Sequence, residues 1–163
     1  MPHRRPPRLE ASLYRGPRRI AFTMCTFERR TYFSATETVN AVRDELLRTT
    51  NQYGVEILAY CFMPDHLHIL AEGLTPDSEV EKCTAMFRQR TGYAHRQMHE
   101  NRLWQDGYYD HILREEEITL VVARYIVANP VRGGLCEDVR RYPFVGSSRY
   151  SIDELAAAVM WQP

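Results

Sequence analysis

Two apolar runs separated by only three residues constrain the fold of this chain more than any other feature. Residues 55–62 have the sequence VEILAYCF, residues 66–73 have the sequence HLHILAEG, and the tripeptide MPD lies between them. Such runs predict strands, and proline and aspartate favour tight turns. Strands joined by so short a connection run antiparallel. The segment therefore predicts a β-hairpin with His66 and His68 at the start of its second strand.

The remaining elements alternate around this hairpin. Strands are predicted at residues 19–27 and 107–114, and helices at residues 34–51, at residues 79–98 and from residue 118 to Pro130. Ser34 and Glu37 have the spacing of a capping box for the first helix, and Ser78 is placed as the N-cap of the second. The order strand, helix, strand, strand, helix, strand, helix predicts an α+β fold, an antiparallel sheet with helices packed on it.

Length and composition favour one domain. A chain of 163 residues with 44% hydrophobic residues can bury its own core. No apolar run approaches the ~18 residues that cross a bilayer, and the N-terminus lacks a secretory segment, so we expect a cytoplasmic protein without a membrane partner. We expect residues 1–17 to be a basic, flexible arm, residues 18–150 to be the domain, and residues 151–163 to be a tail with helical potential.

Cysteine spacing argues against a zinc knuckle or a disulfide framework. Cys25, Cys61, Cys83 and Cys136 are widely separated, and no two of them form a C-x-x-C pair. Closely paired cysteines are the usual signature of both kinds of site. We therefore expect reduced thiols, most of them buried.

A net charge of zero conceals an uneven distribution of charge. Residues 1–32 contain eight arginines against Glu10 and Glu28, and the predicted second helix has a basic outer side. Arginine contacts phosphate through two parallel hydrogen bonds and stacks on bases, so these segments are typical of nucleic-acid binding. A solvated arm that carries charge only for solubility explains the N-terminal arginines equally well.

His66 and His68 share one face of their predicted strand, because side chains alternate between faces. Neutral imidazole is the commonest protein ligand of transition metals, so the pair could bind one cation. Taken alone, an H-x-H pattern is weak evidence. Two half-buried strand histidines without a ligand are the simpler interpretation.

The third helix offers a partner for the histidines. We expect its apolar stripe to face the sheet; the stripe consists of Ile118, Val121, Val122, Tyr125 and Ile126. Tyr125 and Asn129 are four residues apart and therefore lie on the same side. In one interpretation Asn129 caps the helix before Pro130 and Tyr125 is a core aromatic. In the other, the amide oxygen completes a metal site and the phenol attacks a phosphate.

Three blocks of sequence together resemble the single-tyrosine HUH transposases, especially the REP-associated tyrosine transposases. The blocks are YCFMPDHLHIL (residues 60–70), LWQDGYYDHILR (residues 103–114) and RYIVANPVRGGL (residues 124–135). Their order and spacing fit the family, and the similarity extends from about residue 19 to residue 150. The joint occurrence of H-x-H with a downstream Y-I-x-x-N-P-V-R is far more specific than either motif alone.

The resemblance implies a ferredoxin-like or RRM-like sheet with the histidine pair on a central strand. It also implies that His66, His68 and Asn129 bind a divalent metal, Mg²⁺ or Mn²⁺, and that Tyr125 is the nucleophile. Where many relatives have asparagine before the first histidine, this chain has Asp65, which we do not count as a ligand. Tyr108 and Tyr109 are competing phenols, but their predicted strand favours packing or DNA contact.

The implied activity is cleavage and rejoining of single-stranded or hairpin DNA through a 5′-phosphotyrosine intermediate. We expect repeat-derived DNA as the partner, association with the nucleoid of a prokaryote, and a monomer or a homodimer. The residues expected to contact DNA are Arg18, Arg19, Lys82, Arg88, Arg90, Arg96 and Arg114. Two alternatives remain open, a DNA-binding module that no longer cleaves and a metal-dependent nuclease that uses activated water.

Overall fold

A five-stranded antiparallel sheet organises residues 10–160, the part of the chain that the computed structural model describes. Its strands are β1 (Arg19–Cys25), β2 (Val55–Met63), β3 (His66–Gly73), β4 (Tyr109–Ile112) and β5 (Val145–Gly146). They lie in the order β4-β1-β3-β2-β5, which places the predicted hairpin of β2 and β3 at the centre. The predicted α+β class, with a ferredoxin-like antiparallel sheet, is confirmed.

Helices cover both faces of the sheet. They are α1 (Thr36–Gln52), α2 (Val80–His99), α3 (Thr119–Val127), α4 (Asn129–Arg132) and α5 (Ile152–Met160). One hydrophobic core lies between the sheet and α1 and α2, and a second lies between the sheet and α3 and α5. Because both faces are covered, nearly every residue of the central strand β2 is buried.

A β-bulge in β2 decides which side chains surround the histidines. The register with β3 shifts between Ile57 and Ala59, so Leu58 is the extra residue. Leu58 and Ala59 therefore both face the core beneath α3 and α5. Alternation resumes after the bulge, which directs Cys61 and Met63 to that same side.

The central strand β3 divides its side chains between the two cores. Leu67 and Ile69 lie in the core beneath α1 and α2, whereas Leu70 lies in the core beneath α3 and α5. Since side chains alternate, His66 and His68 point to the side of Leu70. The histidines are thus on the face of the sheet that carries α3, as their spacing predicted.

Residues 11–15 do not belong to the flexible N-terminal arm that the sequence predicted. Ala11–Tyr14 forms a short 3₁₀ helix, and Tyr14 is only 1% exposed. The Tyr14 hydroxyl donates a hydrogen bond to Asp110, and Arg15 forms an isolated β-bridge with Glu79. A buried aromatic ring with a satisfied hydroxyl anchors the segment to the domain. The prediction is wrong for residues 11–15, and residues 1–9 lie outside the described residues.

Both predicted helix caps are wrong. α1 begins after Ala35, because Ser34 ends a short 3₁₀ helix instead. α2 begins after Glu79 without a side-chain cap. The Ser78 hydroxyl is used elsewhere: it donates to the carbonyl oxygen of Gly54 over 2.8 Å and so ties two loops together.

The helix α3 presents a different side to the sheet from the one predicted. Ala123, Ile126 and Val127 are buried, whereas Ile118 is 66% exposed and Val121 is also largely exposed. Seven of the nine residues in TLVVARYIV are apolar or aromatic, so periodicity does not define a single inner face. The prediction that the apolar stripe faces the sheet is confirmed at Ile126. It is wrong at the stripe positions that are exposed, which include Tyr125.

The C-terminal segment forms α5, which confirms the predicted helix. Leu155 and Ala156 are buried in the core that α3 also enters, so this helix packs on its own domain. Residues 161–163 lie outside the described residues. All four cysteines are free, as predicted. None of the described helices combines the length and apolarity needed to cross a membrane.

Candidate active site

His66 and His68 lie side by side at the start of β3. Their ring centroids are 4.8 Å apart, with the ring planes nearly perpendicular. The Nδ1 of His66 donates to the Asp65 carboxylate over 2.7 Å, and the Nδ1 of His68 lies 3.0 Å from the Thr23 hydroxyl. When partners of this kind hold Nδ1, the Nε2 atom of each ring is left to bind a ligand.

The electrostatic surroundings keep His68 neutral. Burial, together with the nearby charges of His66, Arg132 and Arg29, lowers the pKa of His68 to about 4. Burial alone would raise the pKa of Asp65, but the hydrogen bond from His66 and the charge of Arg29 hold it below its usual value. At neutral pH the site therefore contains a neutral imidazole, the form that ligates metals, beside an ionised carboxylate.

A strained turn positions Arg29 beside the histidines. Glu28 and Arg29 both have left-handed backbone conformations, with φ of 54° and 55°. This conformation costs a non-glycine residue ~1–2 kcal/mol. Arg29 donates from Nε to Asp65 over 2.9 Å and from Nη1 to the Cys25 sulfur over 2.8 Å. Strain of this kind often occurs at functional sites.

Asn129 repairs the break that Pro130 makes in the helix. Proline has no N–H, so the carbonyl oxygen of Ile126 loses its usual donor. The Asn129 side-chain nitrogen donates to that oxygen over 3.0 Å and to the Tyr125 carbonyl oxygen over 3.1 Å. With Nδ2 used in this way, Oδ1 is left as the acceptor of the amide, and Arg132 donates to it over 3.3 Å.

Tyr125 lies on the surface of α3 with its side chain 57% exposed. The Arg132 guanidinium carbon is 4.1 Å from the centroid of its ring. Arg132 thus contacts both Tyr125 and Asn129, and its charge also reaches His68. The arginine links the exposed phenol on the helix to the histidines on the sheet.

The donor atoms in this region suit a divalent cation. They are the two imidazole Nε2 atoms and the Oδ1 of Asn129, whose orientation is set by the bonds of Nδ2. Between residues 10 and 160, no three side chains of the His, Cys, Asp and Glu types are grouped to hold a metal ion. A third protein ligand would therefore be of another type, such as the Asn129 amide oxygen that the sequence predicts.

Several residues that the sequence predicts to contact DNA have partners within the protein. Lys82 pairs with Glu79 over 2.6 Å, and Arg90 donates to Gln52 over 2.9 Å. Arg19 donates to the carbonyl oxygens of Glu117 and Arg114 and to the Thr119 hydroxyl. Arg90 also pairs with Glu45 over 3.4 Å. The sequence does not reveal these partners of Arg90, because they lie on α1, which is distant in sequence.

The other predicted DNA contacts lie in two regions, one near the edge of the sheet and one on α2. Arg18 and Arg114 are exposed near the edge of the sheet formed by β4, and Arg96 is exposed on α2. Arg88 is more enclosed: it donates to the Gln105 carbonyl oxygen over 2.6 Å. The structure thus separates exposed arginines that can reach a ligand from arginines that hold the fold together.

Sequence reasoning missed the roles of Arg132 and Arg29. Arg132 follows Asn129 by three residues and Tyr125 by seven, a spacing that places all three on one side of a continuous helix. That signal was present in the sequence. Arg29 gave no local signal, because its partner Asp65 is 36 residues away and the turn that directs it is strained.

Comparison with known proteins identifies the family. The family model described as "Transposase IS200 like" matches residues 18–129. One relative is a protein of Haemophilus influenzae that is named as a REP-associated tyrosine transposase. It is 26% identical to this chain over 138 residues, and the match covers 77% of this chain and 77% of the relative. The residues matched by the family model include the histidine pair, Tyr125 and Asn129.

Solved structures support the same fold. A REP-associated tyrosine transposase bound to a REP hairpin superposes with a TM-score of 0.74 at 22% identity, covering 90% of this chain and 88% of the other. A transposase from Deinococcus radiodurans superposes with a TM-score of 0.51 at 19% identity, covering 60% of this chain and 79% of the other. With the family match over most of the domain, these similarities show that the chain belongs to the IS200-like transposase family.

Proposed function

We propose that this protein cleaves and rejoins single-stranded or hairpin DNA through a covalent bond to Tyr125. One observation carries the proposal: α3, which bears Tyr125, and α4, which bears Asn129 and Arg132, pack on the same face of the sheet as His66 and His68. An exposed phenol, a guanidinium and two imidazole groups thereby lie on the same side of the sheet. That combination fits attack on a phosphodiester.

The covalent step is a substitution at phosphorus. The phenolic oxygen of Tyr125 attacks the scissile phosphate, and the bond from phosphorus to the 3′ oxygen breaks. The phenol loses its proton, the leaving oxygen gains one, and a 5′-phosphotyrosine remains. Because one phosphodiester replaces another, a second 3′ hydroxyl can reverse the step and join a new strand without a nucleotide cofactor.

His66, His68 and Asn129 would hold Mg²⁺ or Mn²⁺ in this protein. When bound, the divalent cation would neutralise charge on the phosphate oxygens and orient the phosphate. Thr23 and Asp65 keep the imidazoles turned with Nε2 outward, and Asn129 keeps its amide turned by bonding to the helix carbonyls. The ligands are therefore held in position by the fold itself.

Arg132 would stabilise negative charge at two stages. Its guanidinium already contacts the Tyr125 ring, where a cation favours the phenolate that forms during attack. It can also pair with a phosphate oxygen, since guanidinium groups bind phosphate through parallel hydrogen bonds. Displacing Arg132 from Asn129 would at the same time free Oδ1 to act as a ligand.

Hairpin DNA is the partner that we propose, drawn from repeats near the gene. The structural relative with the TM-score of 0.74 is a transposase bound to a REP hairpin, which supports this choice. Action on such repeats would place the protein at the nucleoid. Either a monomer or a homodimer is compatible with this proposal.

A covalent-complex assay tests the proposal. End-labelled hairpins from repeats flanking the gene are incubated with the protein in Mg²⁺, Mn²⁺ or EDTA and resolved on a denaturing gel. We expect a metal-dependent protein–DNA adduct that is lost in Tyr125→Phe. Tyr109→Phe is the matched control, because that phenol is also well exposed, at 60%, and lies on the edge strand β4.

The other outcomes point to the alternatives. Cleavage that persists in Tyr125→Phe would indicate metal-activated water or another tyrosine. Binding without cleavage in any metal would indicate a DNA-binding module. Either result would overturn the proposed covalent mechanism.

A further inference from the structure

Asp65 lies in the turn between β2 and β3, directly before His66, and both oxygens of its carboxylate are engaged. Oδ1 accepts a hydrogen bond from Nδ1 of His66 over 2.7 Å, and Oδ2 accepts one from Nε of Arg29 over 2.9 Å. Because each oxygen is bonded to a donor, the carboxylate is held away from the role of a metal ligand. Asp65 is instead placed to act on the metal site through His66.

The turn is held by its backbone and not by the Asp65 side chain. The Asp65 carbonyl oxygen accepts hydrogen bonds from the N–H and from the hydroxyl of Thr26, each over 3.0 Å. The neighbouring Pro64 carbonyl oxygen accepts one from the N–H of Phe33 over 3.0 Å. Thr26 and Phe33 are both buried, so the core fixes these donors. A change of the Asp65 side chain should therefore leave the turn and the start of β3 in place.

The two histidines have Nδ1 partners of different chemical kinds. A carboxylate only accepts hydrogen bonds, so Asp65 requires a proton on Nδ1 of His66, which leaves the lone pair of the neutral ring on Nε2. His68 instead contacts the Thr23 hydroxyl over 3.0 Å, and a hydroxyl can donate as well as accept. Thr23 thus permits either tautomer of His68, whereas Asp65 selects the tautomer of His66 that can bind a metal through Nε2.

An asparagine in place of Asp65 would not serve both of its neighbours. The amide has one oxygen and one NH₂ group, whereas Arg29 and His66 each present a donor. A hydrogen bond from a guanidinium is charge-assisted and is the stronger of the two, so the amide oxygen would turn to Arg29. The NH₂ group would then face Nδ1 of His66. A donor at that position favours the tautomer with its proton on Nε2, which has no lone pair there for a metal.

We propose that Asp65 is a positioning residue that sets the affinity of the site for its divalent cation by fixing the tautomer of His66. The proposal rests on the proposed function, since it concerns the same metal site. Arg29 contributes by holding the second carboxylate oxygen, so that Asp65 keeps its first oxygen toward the imidazole. The left-handed backbone of Glu28 and Arg29 then has a function, because this turn brings the guanidinium to Asp65.

Titration of the DNA-free protein with Mn²⁺ tests the proposal without cleavage, with electron paramagnetic resonance measuring the unbound ion. We expect Asp65→Asn to weaken Mn²⁺ binding by ~10–100-fold, the usual loss when a ligand is deprived of its hydrogen-bond partner. Thr23→Val should weaken it less, because His68 loses only a neutral hydrogen bond. Asp77→Asn is the matched control, because Asp77 is also a carboxylate paired with an arginine but lies beyond the far end of β3.

Nuclear magnetic resonance of the metal-free protein reports the tautomer itself. Long-range proton–nitrogen correlation spectra in mildly alkaline buffer distinguish a proton on Nδ1 from a proton on Nε2. We expect His66 to carry its proton on Nδ1 in the wild type and on Nε2 in Asp65→Asn. The Tm of Asp65→Asn should stay close to that of the wild type, because the backbone bonds of the turn are kept. A residue that served only the turn would change the Tm and not the tautomer.

Several results would overturn the proposal. They are a wild type that binds no Mn²⁺, an Asp65→Asn variant that binds it as tightly as the wild type, an equal loss in Asp77→Asn, and the same His66 tautomer in both proteins. The adduct assay with Tyr125 is a separate readout. Weaker Mn²⁺ binding in Asp65→Asn without any adduct from the wild type would contradict the proposed function alone. An adduct at Tyr125 with unchanged Mn²⁺ affinity in Asp65→Asn would contradict the role of Asp65 alone.

Discussion

Asn129 has the structural role that one of the two interpretations of the sequence gave it. Its side-chain nitrogen satisfies the carbonyl oxygens of Tyr125 and Ile126, the second of which Pro130 deprives of a donor. That is the structural role expected of a residue at a helix break. The same bonds turn Oδ1 outward, which is what a metal ligand requires. One residue can therefore cap the helix and contribute a ligand.

Arg132 is expected to matter for catalysis more than for folding. It is an exposed side chain whose contacts are the ring of Tyr125 and the amide oxygen of Asn129. Removing one group that stabilises charge in a transition state typically slows a reaction by ~10²-fold or more. We predict that Arg132→Ala slows adduct formation to that extent in a single-turnover assay, and that Arg132→Lys recovers part of the rate.

A thermal unfolding curve provides the control for this variant. The Tm of Arg132→Ala should remain close to that of the wild type. An unchanged rate of adduct formation would mean that Arg132 is only a surface residue near Tyr125.

His68 gives the metal-free protein a specific sensitivity to acid. The pKa of His68 falls from its ordinary value of 6.5 to about 4 in the folded state. Between these values the unfolded chain binds a proton that the folded protein excludes, so the free energy of unfolding decreases as pH falls from 6.5 to 4. We predict that His68→Gln reduces this slope by up to about 1 kcal/mol per pH unit.

Urea unfolding in EDTA at several pH values measures the slope. Only the difference between the wild type and His68→Gln is informative, because other groups titrate in the same range. Equal slopes would show that His68 is protonated as easily in the folded protein as in the unfolded chain.

At the scale of elements, the start of α3 depends on a residue that looks like a DNA contact. Arg19 on β1 donates to the carbonyl oxygens of Arg114 and Glu117 and to the Thr119 hydroxyl, and so fastens the helix that carries Tyr125. Its neighbour Arg18 is exposed. The two arginines cannot be distinguished in the sequence, but they have different roles in the folded protein.

These neighbours form a matched pair of variants. We predict that Arg19→Ala lowers the free energy of unfolding by about 1–3 kcal/mol, because it leaves partly buried acceptors without their donor. Arg18→Ala should leave stability unchanged and weaken DNA binding in a salt-dependent way. Denaturant unfolding measures the stability of the two variants, and fluorescence anisotropy on the same samples measures their DNA binding. Equal effects of both variants on stability and on binding would contradict the different roles assigned to Arg18 and Arg19.

The sequence predicts whether a segment is a helix or a strand more reliably than it predicts the buried side of a helix or its capping residue. The hairpin of β2 and β3 was predictable, because two apolar runs and a proline-containing turn allow little else. The inner side of α3 was not predictable, because apolar residues surround that helix. The caps at Ser34 and Ser78 failed because tertiary contacts engage these residues or their neighbours in other turns.

At the scale of the whole molecule, the candidate site combines residues that local sequence patterns predict with residues that they do not. His66, His68, Tyr125 and Asn129 stand out by spacing within a strand or a helix. Arg29 and Thr23 do not, because their partners are 36 and 45 residues away and meet them only when β1 pairs with β3. Topology, rather than local pattern, supplies the groups that orient the histidines.

The most direct test of the account is to identify the residue that becomes linked to DNA. Protein incubated with a repeat-derived hairpin and Mg²⁺ or Mn²⁺ is digested with nuclease and protease, and the nucleotide-bearing peptide is sequenced by mass spectrometry. We predict a phosphotyrosine bond at Tyr125 joined to the 5′ side of the cleaved strand. A nucleotide on Tyr108 or Tyr109, or cleaved DNA with no linked peptide, would contradict the account.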